Sequence, residues 1–160
     1  MHLPYFKEID ISMLKDYYEV DIEFEEKKLQ IDLNFEKESI VEKEMNPVVS
    51  ILENLNEAIL KILNYIQLDF KNGDEVNEFI NFHLEELSEE ELKGLFTSAN
   101  SILSKEEQFL SVIRLKRIGL YPEEEIFAIF DFSIDDEVSQ YLLVVKVNAQ
   151  IELDHITMES

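Results

Sequence analysis

The groups able to do acid–base or metal chemistry in this chain are three histidines set among 36 carboxylates, with 14 Lys and Arg and no cysteine. Histidine titrates near neutral pH, which makes it the first group to weigh. His2 sits in the first residues of the chain. His155 falls in an expected last strand beside Asp154, and neighbouring strand positions face opposite ways, which argues against a dyad. His83 falls on the inner edge of an expected helix with Glu86 at i+3. That spacing suits a metal pair or an acid–base dyad. It equally suits a half-buried helix histidine held by a carboxylate, which is the preferred reading because no His-Glu-x-x-His motif accompanies it.

Other catalytic patterns are missing from the sequence. Without cysteine there is no thiol nucleophile, disulfide framework or Cys-based zinc site. Gly73, Gly94 and Gly119 are the only glycines, too few and too scattered for a phosphate-cradling loop. No Ser occupies a Gly-x-Ser-x-Gly elbow. No segment has the ligand spacing of a calcium loop. Paired carboxylates facing a sugar cleft usually come with aromatic platforms, and the chain has no Trp. No catalytic residue, metal site or cofactor is therefore expected.

Two acidic features remain as candidate partner-binding surfaces. One is the wet face of an N-terminal hairpin, carrying Glu19, Asp21, Glu23, Asp32 and Glu36. The other is the run Glu85, Glu86, Glu89, Glu90 and Glu91 at a helix boundary, where acids also complement the dipole of the following helix. The expected hairpin register places Asp21 opposite Asp32, an unfavourable like-charge pair calling for a covering cation. Arg114, Lys116 and Arg117 form the one basic cluster. It is too small for nucleic acid and is expected to neutralise nearby carboxylates.

Hydrophobic periodicity places these groups on elements. Val20, Ile22 and Phe24 alternate with acids, as do Leu29, Ile31, Leu33 and Phe35 with polar residues, the pattern of two half-buried strands. A turn near Glu26-Lys27 pairs Phe24 with Leu29, Ile22 with Ile31 and Val20 with Leu33. Residues 3–10 read as an edge strand. Asn46-Pro47 opens a long helix over 47–71, whose apolar residues recur every three or four positions, and Gly73 ends it in a left-handed cap. Helices are expected over 74–87, from the Ser88/Glu91 capping box through Phe96, and after Ser104. Strands follow near 112–120, 125–134, 140–148 and 151–158. The runs Ile126–Phe130 and Tyr141–Val145 suit central strands covered on both faces. The fold class is α+β: residues 1–160 form one domain, a largely antiparallel sheet built from both ends of the chain with about three to four central helices packed on it.

Charge bounds the partners. The net charge is −22, which opposes binding to nucleic acid or to an anionic membrane and allows a basic protein. No apolar stretch approaches the ~18–20 residues that span a bilayer. Residues 1–10 lack the pattern of a signal peptide. A cytoplasmic location is expected, with the oligomeric state open.

The strings Leu3-Pro4-Tyr5-Phe6, Asp16–Val20 with Ile31–Phe35, Ile118-Gly119-Leu120-Tyr121-Pro122, Phe130-Asp131-Phe132 with Tyr141–Val145, and Ile156–Ser160 together resemble a bacterial family catalogued as domain of unknown function 2004. The resemblance spans nearly the whole chain and implies a bacterial cytosolic α+β protein, with no reaction or site to transfer. Small acidic bacterial proteins sometimes serve as immunity partners of toxins, an analogy of size and charge. The leading expectation is a non-enzymatic acidic binding protein for a basic partner, with an immunity or inhibitor role as its sharpest form. The alternatives are a hydrolase or metal-dependent enzyme using His83 and carboxylates, and a structural or oligomeric module.

Overall fold

A computed structural model describes residues 1–160. A short pair, β1 (His2–Leu3) and β2 (Lys7–Glu8), forms its own two-stranded sheet. The main sheet has six strands in the order β3 (Tyr17–Phe24), β4 (Lys27–Asn34), β5 (Arg114–Leu120), β6 (Ala128–Ser133), β7 (Leu142–Val147) and β8 (Leu153–Glu159). All its neighbours run antiparallel except β4 and β5, which are parallel. The chain between them carries every helix: α1 (Glu42–Glu53), α2 (Leu55–Asn72), α3 (Glu75–Glu86), α4 (Glu89–Leu95) and α5 (Lys105–Val112).

One core joins the helices to a single face of the sheet. Leu29, Ile31 and Leu33 of β4, Ile118 and Leu120 of β5, Phe130 and Phe132 of β6, and Val145 and Val147 of β7 pack with Ile59, Ile62, Phe79 and Phe109 of the helices. Residues on the opposite sheet face, such as Asp32, Asp131 and Val144, are buried yet lie outside that cluster. The expected α+β class is what the chain adopts. The two apolar runs form interior strands, as expected. The helices pack on one face only, and the second face mixes apolar Val144 with the buried polar residues Asp32, Asp131 and Ser133.

Several local expectations need correction. Residues 3–10 do not form an edge strand of the main sheet but lie in the separate β1–β2 pair. The long helix begins earlier, at Glu42, where the Glu44 carboxylate reaches back to the Val41 N–H. Pro47 therefore lies inside α1 and leaves one helical carbonyl without its donor. The apolar spacing continues across Asn54, but the backbone there leaves the helical region (φ −115°, ψ 40°) and divides α1 from α2. Gly73 ends α2 in an extended conformation, not a left-handed one. Its missing Cβ leaves room for the Asp69 carboxylate, which accepts from the Val76 N–H at 2.7 Å.

The hairpin register also slides by two residues. Ile22 lies opposite Leu29, Val20 opposite Ile31 and Tyr18 opposite Leu33. The shift preserves every facing, because the side-chain period is two. Its cause is the turn, which uses only Glu25 and Glu26, with φ of 50° and 64°. Both lie in the left-handed region that a tight primed turn needs and that Asn-Gly fills best. Glu25→Asn with Glu26→Gly is expected to stabilise the protein by roughly 1 kcal/mol or more. Urea denaturation reads the effect, and an unchanged midpoint would show that the turn is unstrained.

Candidate functional site

The most elaborated polar arrangement lies at the centre of the helix-free sheet face. Arg117 on β5 lies between Asp32 on β4 and Asp131 on β6. Its Nε donates to Asp32 at 2.6 Å and its Nη2 to the other Asp32 oxygen at 2.9 Å, while Nη1 donates to Asp131 at 3.1 Å. Asp32 is fully buried. Asn34 donates to it at 2.6 Å, and Arg117 Nη2 also reaches the Tyr121 hydroxyl at 2.9 Å. A bidentate guanidinium is the geometry that best holds a buried carboxylate.

The sequence builds this cluster through three local devices. Gly119 faces Asp32 across the parallel pair. A Cβ there would come within 2.7 Å of an Arg117 nitrogen and 3.0 Å of the Tyr121 ring. The absent side chain thus lets the guanidinium lie flat over the strand. A register shift between Leu115 and Arg117 then re-aims β5 so that Arg117 faces Asp131. Finally, strand alternation puts Asp32, Arg117 and Asp131 on the same face.

Electrostatics follow from burial and these contacts. Burial works against the Arg117 charge, but its bonds to Asp32, Tyr121 and Asp131 more than compensate and hold it protonated. Burial raises the Asp131 pKa, with Arg117 pulling it back only in part. At the rim, Tyr17 donates to Glu19 at 2.8 Å. That hydrogen bond leads the causes that push the Tyr17 phenol up to about 12.

The structure separates the expected acidic site residues. Asp32 lies opposite Glu19, and Asp21 opposite Gln30, so the expected Asp21–Asp32 pair does not form. The covering cation for Asp32 is Arg117 of the chain itself, and Lys28 pairs with Asp21 at 3.3 Å. Glu19, Asp21 and Glu23 remain exposed on β3. Glu36 lies beyond the end of β4, where its N–H donates to the Glu123 carboxylate. Glu85, Glu86, Glu89 and Glu90 are exposed at the α3–α4 junction in the helical layer. They are not part of the sheet face. Within the basic cluster, Lys116 pairs with Asp136 at 2.7 Å, and Arg117 neutralises Asp32 and Asp131 as expected.

His83 is placed differently from its expected role. It does not pair with Glu86 and is 1 % exposed. Its Nδ1 lies 2.8 Å from the Phe79 carbonyl and its Nε2 2.7 Å from the Ser139 hydroxyl. A carbonyl only accepts, so Nδ1 carries the proton and Nε2 accepts from Ser139. Phe79, Phe82, Phe109 and Tyr141 surround the ring. Both nitrogens are engaged inside the core, and burial lowers the imidazole pKa. His155 contacts neighbouring Asp154 at 2.5 Å at the exposed edge, against the expectation that the two would point apart. The register shift in β8 falls at Asp154, the unpaired residue between the Lys146–His155 and Val147–Leu153 pairs, so strict alternation lapses there.

The sequence did not reveal the Asp32–Arg117–Asp131 cluster as a unit. Its signals were Asp32, whose expected like-charge pairing called for a covering cation, and Arg117 in a basic cluster assigned to carboxylate neutralisation. No group of three or more His, Asp or Glu side chains is arranged to hold a metal ion. No helix is long and apolar enough to cross a membrane. No family model, curated protein or solved structure matches the chain.

Proposed function

We propose that this chain is a non-enzymatic acidic binding protein that meets a basic protein along the free edge of β3. The observation that carries the reading is how that edge is built. The Phe35 N–H donates to the Asp16 carbonyl at 2.9 Å, which fixes the even-numbered residues of the strand as those bonded to β4. Antiparallel alternation then turns the N–H and C=O groups of Tyr17, Glu19, Asp21 and Glu23 outward. Those residues also carry the exposed acids, whereas Tyr18, Val20, Ile22 and Phe24 are only partly covered on the helix side. A strand alternating basic and apolar residues would complement both rows at once.

The net charge of −22 supports the same partner chemistry. An immunity or inhibitor role is its sharpest form. Cytoplasmic residence and kinship with the bacterial family of unknown function 2004 belong to this proposal and rest on the sequence strings. The hydrolase alternative draws no support from His83, whose nitrogens are both engaged in the core.

The test is a low-salt pull-down from the native host with the wild type and with Glu19→Lys/Asp21→Lys/Glu23→Lys. Asp32 is left intact because it serves the fold. A stoichiometric basic protein released by salt and lost with the triple variant is the expected outcome, since such pairs act strongly on association. Equal retention of that protein by both forms would sink the reading.

A further inference from the structure

We propose a second site, independent of the β3 edge: a cleft between the β3–β4 hairpin tip and the start of β5 that binds an amphipathic anion. Its head would be a phosphate or carboxylate, and its tail a short apolar chain. Two adjoining cavities make the cleft, and they share the side chains of Lys27, Arg114 and Leu115.

The first cavity, of about 470 Å³, is lined by Lys27, Lys28, Arg114 and Lys116. Four of the chain's 14 basic residues thus converge on one concavity of a strongly acidic protein. Two carboxylates, Asp135 and Asp136, also line it, and Asp136 is taken up by Lys116. Lys28 is occupied by Asp21, while Lys27 and Arg114 pair with no carboxylate. These two unpaired cations stand at the junction with the second cavity. Ser98 and Ser133 add hydroxyls to the wall. The volume falls within the range typical of small-ligand sites.

The second cavity, of about 160 Å³, has the opposite character. Phe24, Ile59, Leu63, Ile113, Leu115 and Phe132 make most of its wall, with Glu25, Lys27, Ser111 and Arg114 completing it. Ile59 and Phe132 are buried at its base, and Leu63 is 40 % exposed at its mouth. An apolar hollow opening beside two unpaired cations suits a ligand with a charged end and an apolar end. Carboxylates elsewhere on the chain do not exclude such a ligand, because their field is screened over about 8 Å at physiological ionic strength. Within the cleft, Lys28 and Lys116 are taken up by Asp21 and Asp136, so Lys27 and Arg114 are the cations left to hold the head.

Calorimetric titration with hexyl phosphate, hexanoate, inorganic phosphate and hexanol tests the site at physiological salt. Hexyl phosphate or hexanoate should bind at least about tenfold tighter than inorganic phosphate or hexanol, because only the first two use both cavities. Whichever of the two binds tighter assigns the head. Lys27→Gln/Arg114→Gln should weaken that ligand at least about tenfold, and Leu63→Ser should reduce it to the level of the head group alone. All the replaced side chains are exposed, and unchanged melting of the variants confirms that the fold is retained. Glu19, Asp21 and Glu23 are untouched, so the outcome is separable from partner binding at β3. No binding of hexyl phosphate and hexanoate at millimolar concentration, or equal binding by the double variant, would overturn the proposal.

Discussion

Arg117→Met is expected to lower the unfolding free energy by about 3–5 kcal/mol, the usual consequence of removing one partner from a buried ion pair. For a chain of this size that is a fall of roughly 6–20 °C in Tm. The loss comes less from the missing bonds than from what stays behind. Asp32 is fully buried and takes both of its ionic contacts from Arg117. Methionine fills a comparable volume but leaves that carboxylate with Asn34 and the weaker Gln30 contact. If the cost is uncompensated charge, then Arg117→Met/Asp32→Asn/Asp131→Asn should recover most of it. Asp131→Asn alone should change little. Its folded pKa is raised by burial, so its ionised form is disfavoured by folding, and any stability it lends at low pH is lost as pH rises through that value. Chemical denaturation of the series distinguishes the cases. A loss below ~1 kcal/mol for Arg117→Met would mean that solvent screens the cluster as it does an ordinary surface pair.

Acidification should unfold the protein through His83. Burial depresses the folded pKa below the reference value of 6.5. The unfolded chain therefore takes up the proton first, and the stabilising contribution of neutral His83 is complete above that reference value. It is lost as pH falls through the folded value, with a slope of up to ~1.4 kcal/mol per pH unit. Charging the ring would also turn the Nε2 lone pair, which accepts from Ser139, into a second donor. The 36 carboxylates work in the other direction, since their partial neutralisation relieves self-repulsion. The informative quantity is thus the difference between wild type and His83→Gln. The wild type should lose more stability than His83→Gln between pH 7.5 and pH 5, although it starts from a higher value. Parallel pH profiles would remove His83 as the cause.

Local patterning made much of this fold readable and long-range geometry hid the rest. The alternation through Val20, Ile22 and Phe24 and the capping box at Ser88 and Glu91 assigned strand faces and a helix start that the structure retains. The hairpin register was misread because Glu25 and Glu26 adopt a turn that their residue types disfavour. The break at Asn54 was invisible because Leu52, Leu55 and Ala58 keep helical spacing through it. The central cluster escaped for a different reason: Asp32 and Arg117 meet through a parallel pairing that no local pattern announces. His83 and Ser139 likewise meet only through tertiary packing. The exposed acids of β3 were legible because alternation is a local property, whereas the position of β3 at the sheet edge is set by strand order.

The single parallel contact in the sheet also sets how long the N-terminal hairpin waits for its neighbour. Asp32 and Arg117 are 85 positions apart, so a ribosome adding 5–20 residues per second needs roughly 4–17 s to deliver the second after the first. Throughout that interval β3 and β4 have emerged without the neighbour that will flank them, and the charge of Asp32 has no counter-ion from its own chain. The nascent hairpin is open on both margins until translation of β5 closes one. Only the β3 margin remains available for life in the finished protein, and its row of acids discourages identical nascent chains from zipping together there in the meantime.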